Sequence, residues 1–159
     1  MDLLEFTIRL LVALGAGMII GFERQMHQKR AGLRTHSLVA LGSAVFVLIS
    51  FEVTGESGGD ATRIIGQVVT GIGFLGAGVI LRQGLSVHGR TTAATIWCSS
   101  ATGCLAAAGY FTETAICTFI IVFVNLALRS LDDKIESISL HKRGRKKDPN
   151  QKAAEESNE

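Results

Sequence analysis

The 159-residue sequence predicts an all-α integral membrane protein: a bundle of five transmembrane helices followed by a short, disordered cytoplasmic tail. Three observations carry that expectation. Hydrophobic residues make up 47% of the chain and charged residues only 19%, below the roughly 25% usual in soluble domains; the mean hydropathy is +0.34. Charges punctuate the chain, leaving Leu10–Phe22, Ser37–Phe51, Ile64–Leu81, Thr91–Thr112 and Thr114–Leu128 without any Asp, Glu, Lys or Arg. Lys and Arg also gather on alternate connections, fourteen on one side against two on the other. A net charge of +2 gives no reason to expect a nucleic-acid partner.

A membrane-crossing helix needs about 20 residues, within a range of about 17 to 25. The third and fourth runs meet that outright, and the others do so once their ends are extended. The expected spans are 3–22, 37–54, 64–81, 91–110 and 113–130, within a transmembrane domain 1–132, with 133–159 as the tail. The first begins near Leu3, with Glu5 and Arg9 four apart on one helix face at the boundary. Ala13, Gly17 and Gly21 recur every fourth residue, a spacing that lets another backbone approach closely. A cleaved signal peptide opens with a basic segment, whereas Asp2 and Glu5 precede this run, so the first helix is expected to stay attached. The second helix keeps Glu52 at its far interface. The fifth is bracketed by Glu113 and Arg129, whose side chains can reach the headgroups. It is bulky all round from Ile116 to Val124, as a lipid-facing helix is, and Asn125 is its one polar group, expected to hydrogen-bond to a neighbour.

The third run contains Gly71-Ile-Gly73-Phe-Leu-Gly76, which matches a dinucleotide-binding fingerprint, but the fingerprint needs a preceding strand and a downstream acid. No acid occurs between Asp60 and Glu113. Helix packing is the better account. At 100° per residue, Gly66, Thr70, Gly73 and Ala77 share one stripe, Gln67, Gly71 and Gly78 lie beside it, and Val68, Ile72, Leu75 and Val79 stand opposite. Small residues permit close approach in lipid, so the third helix is expected in the middle of the bundle. The fourth carries a comparable stripe, Thr91, Thr95, Cys98, Thr102 and Gly109, and is expected to be enclosed as well.

By the positive-inside rule the side holding fourteen basic residues is cytoplasmic, which puts the N-terminus outside and requires an odd number of spans. Cys98, Cys104 and Cys117 fall within spans as small buried thiols, without disulfide or zinc-ligand spacing. No metal or cofactor is expected. No nucleophile and base stand in catalytic spacing, so an enzyme is not expected either.

Polar residues cluster at two mouths. On the basic side Glu23 and Arg24 end the first span, and Arg34, Thr35 and His36 lead into the second. They serve either as a topology anchor at headgroup level or as a network in which Glu23 pairs with an arginine, since unpaired charge is costly at that depth. On the other side Asp60 suits a helix N-cap. Arg63 and Gln67 stand four apart above the small-residue face, where they and the threonines of the fourth helix would line a polar cavity. The tail's basic run, His141–Lys147, is expected to be a solvated anchor or to touch anionic lipid.

Several of these segments occur together in a recognisable order. Glu23-Arg24, Ala31-Gly-Leu-Arg-Thr-His-Ser-Leu-Val39, Asp60-Ala-Thr-Arg63, the run Gln67–Ile80 and Thr91-Thr-Ala-Ala-Thr-Ile-Trp97 closely resemble the MgtC/SapB family of bacterial membrane proteins, from about Arg9 to Leu128. The resemblance implies an inner-membrane protein linked to growth in low magnesium and, in pathogens, to survival inside macrophages. It also implies a regulator of other membrane proteins, including the ATP synthase and cation transport systems. The matching positions it marks for function are Glu23, Arg24, Arg34, Thr35, His36, Asp60, Arg63, Gln67, Thr91 and Cys98. Arg90 departs from the apolar residue usual before the threonine pair, and the tail is shorter than the cytoplasmic regulatory domain that many members carry. The expected partners are the lipid bilayer, other membrane proteins and a second copy in a dimer. A small channel or transporter for Mg²⁺ or another cation is the alternative, for which the chain offers no acid or base at mid-span.

Overall fold

The computed structural model describes residues 1–57, 60–83 and 86–146, with side chains described except at 54–59, 61, 83–86 and 130–146. These residues form α1 (Leu3–Met26), α2 (Leu33–Ser57), α3 (Ala61–Val79), β1 (Leu81–Gln83), β2 (Ser86–His88), α4 (Arg90–Ala107) and α5 (Phe111–Lys146). Four stretches, Leu3–Met26, Leu33–Val53, Thr62–Val79 and Phe111–Arg129, are long and apolar enough to cross a membrane. The protein is a helical membrane protein, as its sequence predicts.

The fourth helix, expected among the clearest spans, is not one of those four. Its Thr, Ser and Gly content lowers its hydropathy, which a helix tolerates when protein rather than lipid surrounds it. Half of α4 is indeed buried, including Ile96, Ser99, Thr102 and Ala106. It runs the depth of the bundle, from Thr92 beside Arg24 to Ala107 beside Arg9. It stops short of the expected residue 110 because Gly109 takes φ +86°, the left-handed conformation that glycine adopts without penalty. Gly109 N–H then bonds the Ala106 carbonyl and Tyr110 N–H the Leu105 carbonyl, which satisfies the helix's last acceptors.

The core lies between α1, α2 and α4. Ala13, Ala44, Val47, Leu48, Ala106 and Ala107 are buried together there. Glycines set the spacing. A Cβ on Gly17 would stand 2.6 Å from the His36 carbonyl oxygen, one on Gly21 2.7 Å from the Leu33 Cα, and one on Gly103 would collide with the Ala40 carbonyl. A second cluster, Val68, Ile72 and Ile96 with Ala31, holds α3 against α4.

The orientation of α3 corrects the sequence expectation. A Cβ added at Gly66, Gly71, Gly73 or Gly78 would meet nothing within 4 Å, and only Gly76 faces a neighbour, 3.7 Å from the Ala93 Cβ. The stripe of small residues therefore points out of the bundle, while Val68 and Ile72 point in. The physical reason is complementarity: α4 already presents the small surface at this contact, and bulky side chains from α3 fill it.

Other boundaries differ as well. α1 and α2 extend beyond 22 and 54, and α3 starts at Ala61 and ends at Val79. Two short antiparallel strands, with Leu81 opposite His88, occupy the connection between α3 and α4, where the all-α expectation placed no strand. Past them Gly89 takes φ +90°, where a Cβ would strike the Val79 carbonyl oxygen. α5 continues through residues 133–146, expected as irregular tail. That segment alternates apolar Leu131, Ile135, Ile138 and Leu140 with charge and lacks proline, so nothing in it breaks a helix. Residues 147–159 lie outside the described residues, as do the side chains of the basic run 141–147.

The chain divides into two compact units, Met1–Val122 and a second that begins at Phe123. Within the first, the opening turns of α5 lie beside α1. Thr114 and Thr118 are buried there, while Ile116, Phe119 and Ile120 are exposed, as a lipid-facing surface requires. Within the second, α5 runs on as a single helix.

Candidate functional site

One end of the first unit collects Arg24, Lys29, Arg30, Arg34, Arg82 and Arg90, from the ends of α1 to α4 and their connections. This is the basic end. Inside it Glu23 is 7% exposed, Arg24 2% and His36 0%. The Arg24 Nη2 donates to Thr92 Oγ1 at 3.1 Å, which ties α1 to α4. The Glu23 carboxylate stands 3.1 Å from His27 Nδ1, not against an arginine as expected. Helical geometry explains the substitution: Glu23 and Arg24 diverge by about 100°, whereas His27, four residues on, returns to the same face.

His36 is held from α4. Its Nδ1 lies 2.8 Å from Ser99 Oγ, and that hydroxyl donates to the Thr95 carbonyl at 3.0 Å. Two turns further along α2, Ser43 Oγ meets Ser100 Oγ at 2.6 Å, and Ser50, another two turns on, bonds the Val47 carbonyl at 2.7 Å. Buried His36, Ser43 and Ser50 form a column at seven-residue spacing, and the bonds of His36 to Ser99 and of Ser43 to Ser100 fix the register of α2 against α4. Four buried polar atoms near the basic end, Glu23 Oε2, Arg24 Nε, His36 Nε2 and Ser37 Oγ, have no hydrogen-bond partner among the described residues. The cluster combines a carboxylate, a guanidinium and an imidazole with unspent hydrogen-bonding capacity.

Arg34 and Thr35, grouped with Glu23 and His36 in the sequence, face elsewhere. Both are exposed and line the mouth of a groove of about 970 Å³ between α2 and α3. Its walls are Leu38, Val39 and Phe46 from α2 and Val68, Ile72 and Leu75 from α3, with Gln67 towards the deep end. Gln67 thus borders a cavity, but with α2 across from it and not the threonines of α4. A smaller cavity of about 390 Å³ separates α1 from the start of α5.

The opposite end holds Asp60 and Arg63, and the remaining candidates lie apart from both. Asp60 caps α3 by accepting from Thr62 N at 2.9 Å and from its hydroxyl at 2.5 Å. These bonds from Thr62 hold the carboxyl below its ordinary pKa, helped by the charge of Arg63. Arg63 itself is exposed and does not line the groove. Thr91 is exposed at the start of α4, its carbonyl taken by Thr95 Oγ1, and Cys98 is half-buried further along. Asn125 belongs to the second unit. Sequence reasoning placed Arg9 only at a membrane boundary beside Glu5. Its guanidinium in fact also donates to the Ala107 carbonyl at 2.5 Å, so a cation caps the C-terminus of α4. The signal available in advance was the Gly109 that ends α4 close to a residue able to bond its carbonyls.

The family model described as MgtC family matches residues 10–134. The chain belongs to the MgtC family. Among its relatives, a protein named MgtC from Salmonella typhimurium strain 14028s is 44% identical over 147 residues, 92% of this chain and 62% of the relative. A protein named MgtC from Brucella abortus strain 2308 is 50% identical over 120 residues, 76% of this chain and 50% of that protein. An uncharacterised Synechocystis protein is 46% identical over 137 residues, 86% of this chain and 58% of the other. The chain thus spans between half and 62% of the length of these relatives. No solved structure matches it. Membership of the MgtC family agrees with the apolar helices of the fold.

Proposed function

We propose that this protein is an MgtC-like regulator in the bacterial inner membrane, which alters the activity of another membrane complex through helix-to-helix contact. Adaptation to low magnesium or related stress is the setting, with virulence a consequence in pathogens. The ATP synthase and cation transport systems are the partner class that the family resemblance suggests. The basic end faces the cytoplasm, by the excess of Lys and Arg in its connections, and the N-terminus lies outside.

The observation that supports this reading is the outward stripe of α3. Gly66, Thr70, Gly73 and Ala77 form a shallow, exposed face with no partner in the first unit. In lipid, helices associate through such surfaces because close backbone approach recovers packing that lipid tails do not supply. A transmembrane helix of the target complex is the intended occupant. Copurification from membranes tests it: wild type brings down a membrane complex, and Gly73→Leu loses that complex while remaining folded. Retention of the complex by Gly66→Leu/Gly73→Leu would sink the contact.

A second reading, a small cation transporter, draws on the column His36, Ser43 and Ser50. Its hydroxyls, however, are bonded to Ser100 and to the Val47 carbonyl, and its one titratable group, His36, is bonded to Ser99. The expected result in liposomes containing this protein alone is no selective ion flux. Robust flux would replace the regulator with the transporter.

A further inference from the structure

The groove between α2 and α3 has the dimensions and polarity of a lipid site, and it lies on the side of α3 away from the outward stripe. On α2 it extends from Arg34 to Phe46, and on α3 from Leu75 back to Ile64. At a rise of 1.5 Å per residue that is about 18 Å along the helices. The hydrocarbon core is about 30 Å thick, so the groove is about as deep as one leaflet. Its mouth, at the basic end, carries Arg34 and Thr35, both exposed, next to the exposed Lys29 and Arg30 of the α1–α2 connection. Below the mouth the walls are apolar until Ser43 and Gln67 near the deep end. Gly42 and Gly71 widen the floor, since a Cβ at either would meet nothing within 4 Å.

We propose that this groove binds one anionic phospholipid from the leaflet at the basic end. Its phosphate sits on the Arg34 guanidinium and the Thr35 hydroxyl, and an acyl chain lies along Leu38, Val39, Ile72 and Leu75. Positive charge at the mouth selects an anionic headgroup, because basic side chains near a membrane surface favour anionic over zwitterionic lipid. The length selects an acyl chain over a helix. A partner helix is 10–12 Å across and must span about 30 Å, roughly twice what the groove offers.

Native mass spectrometry of the full chain released from detergent micelles, titrated separately with phosphatidylglycerol, phosphatidylcholine and inorganic phosphate, tests the site. One phosphatidylglycerol is expected to stay bound, preferred over phosphatidylcholine about fivefold, as one basic contact of about 1 kcal/mol predicts. Inorganic phosphate does not displace it. Arg34→Gln brings the two lipids to equal affinity, Gly71→Leu removes both, and Gly73→Leu on the opposite face changes neither. Equal binding by wild type, a preference surviving Arg34→Gln, displacement by phosphate, or a dimer that Gly71→Leu dissociates would each overturn the proposal. Should Gly71→Leu fail to fold, a phosphatidylglycerol with a photoreactive acyl chain reads the same site in wild type. Crosslinks are expected at Leu38, Val39 or Leu75, and crosslinks confined to other helices reject it.

Discussion

Arg24 is a cation with 2% exposure whose described side-chain bond is to Thr92 on another helix, beside a carboxylate that pairs with His27. Removing one member of a buried charged set leaves the others uncompensated. Arg24→Met is therefore expected to cost about 3 kcal/mol, against about 1 kcal/mol for Thr92→Val, which removes a single hydrogen bond. Unfolding in mixed micelles measures both, and the double variant should cost less than the sum because the two share one contact. Glu23→Gln keeps size and hydrogen bonding but removes the charge facing His27. It should lower stability and weaken support of growth at low magnesium; unchanged values would reduce this cluster to a topology anchor. Such residues were legible as a polar group from their spacing along the chain. Their pairings were not, because adjacent side chains diverge around a helix and only packing decides which neighbour each one reaches.

Among the helices, the same residue type plays opposite parts. Gly17 and Gly103 stand where a side chain would strike the backbone of α2, so Gly17→Leu or Gly103→Leu is expected to cost at least about 3 kcal/mol. Gly66 faces open space, and Gly66→Leu should be neutral or stabilising by up to about 1 kcal/mol, the gain in helix propensity. Comparing the melting transitions of these variants separates buried from outward glycine stripes. The cap at Asp60 has a pH signature. A carboxyl held below its ordinary pKa adds stability above that value and loses it as the pH falls through the lowered one. Helicity at the start of α3 should thus fray on acidification into that range, and Asp60→Ala should abolish the dependence. Helix existence was legible from the apolar runs, and close packing on α1 from its four-residue spacing of small residues. The direction of α3 was not, since a small-residue face has the same pattern whether it meets a neighbour in this chain or one outside it.

At the scale of the molecule, the bundle brings the basic connections to one end, as alternation of the helices requires. With the native cysteines replaced by alanine, Asp2→Cys is expected to react with an impermeant maleimide on intact cells and Lys29→Cys only after permeabilisation; the reverse pattern would invert the proposed orientation. What the sequence determined by itself was the class of the protein, its helices, its charge asymmetry and its family, because hydropathy and charge act locally along the chain and need no partner to be read. Whereas the enclosure of α4 was already legible in its small-residue stripe, the tertiary structure alone decided that α3 turns its glycines outward, that Arg9 caps α4, and that Arg34 leaves the buried cluster for a groove. Each of these depends on which surfaces of separate helices fit together. That choice is made by packing between residues far apart in the chain, which no one-dimensional pattern contains.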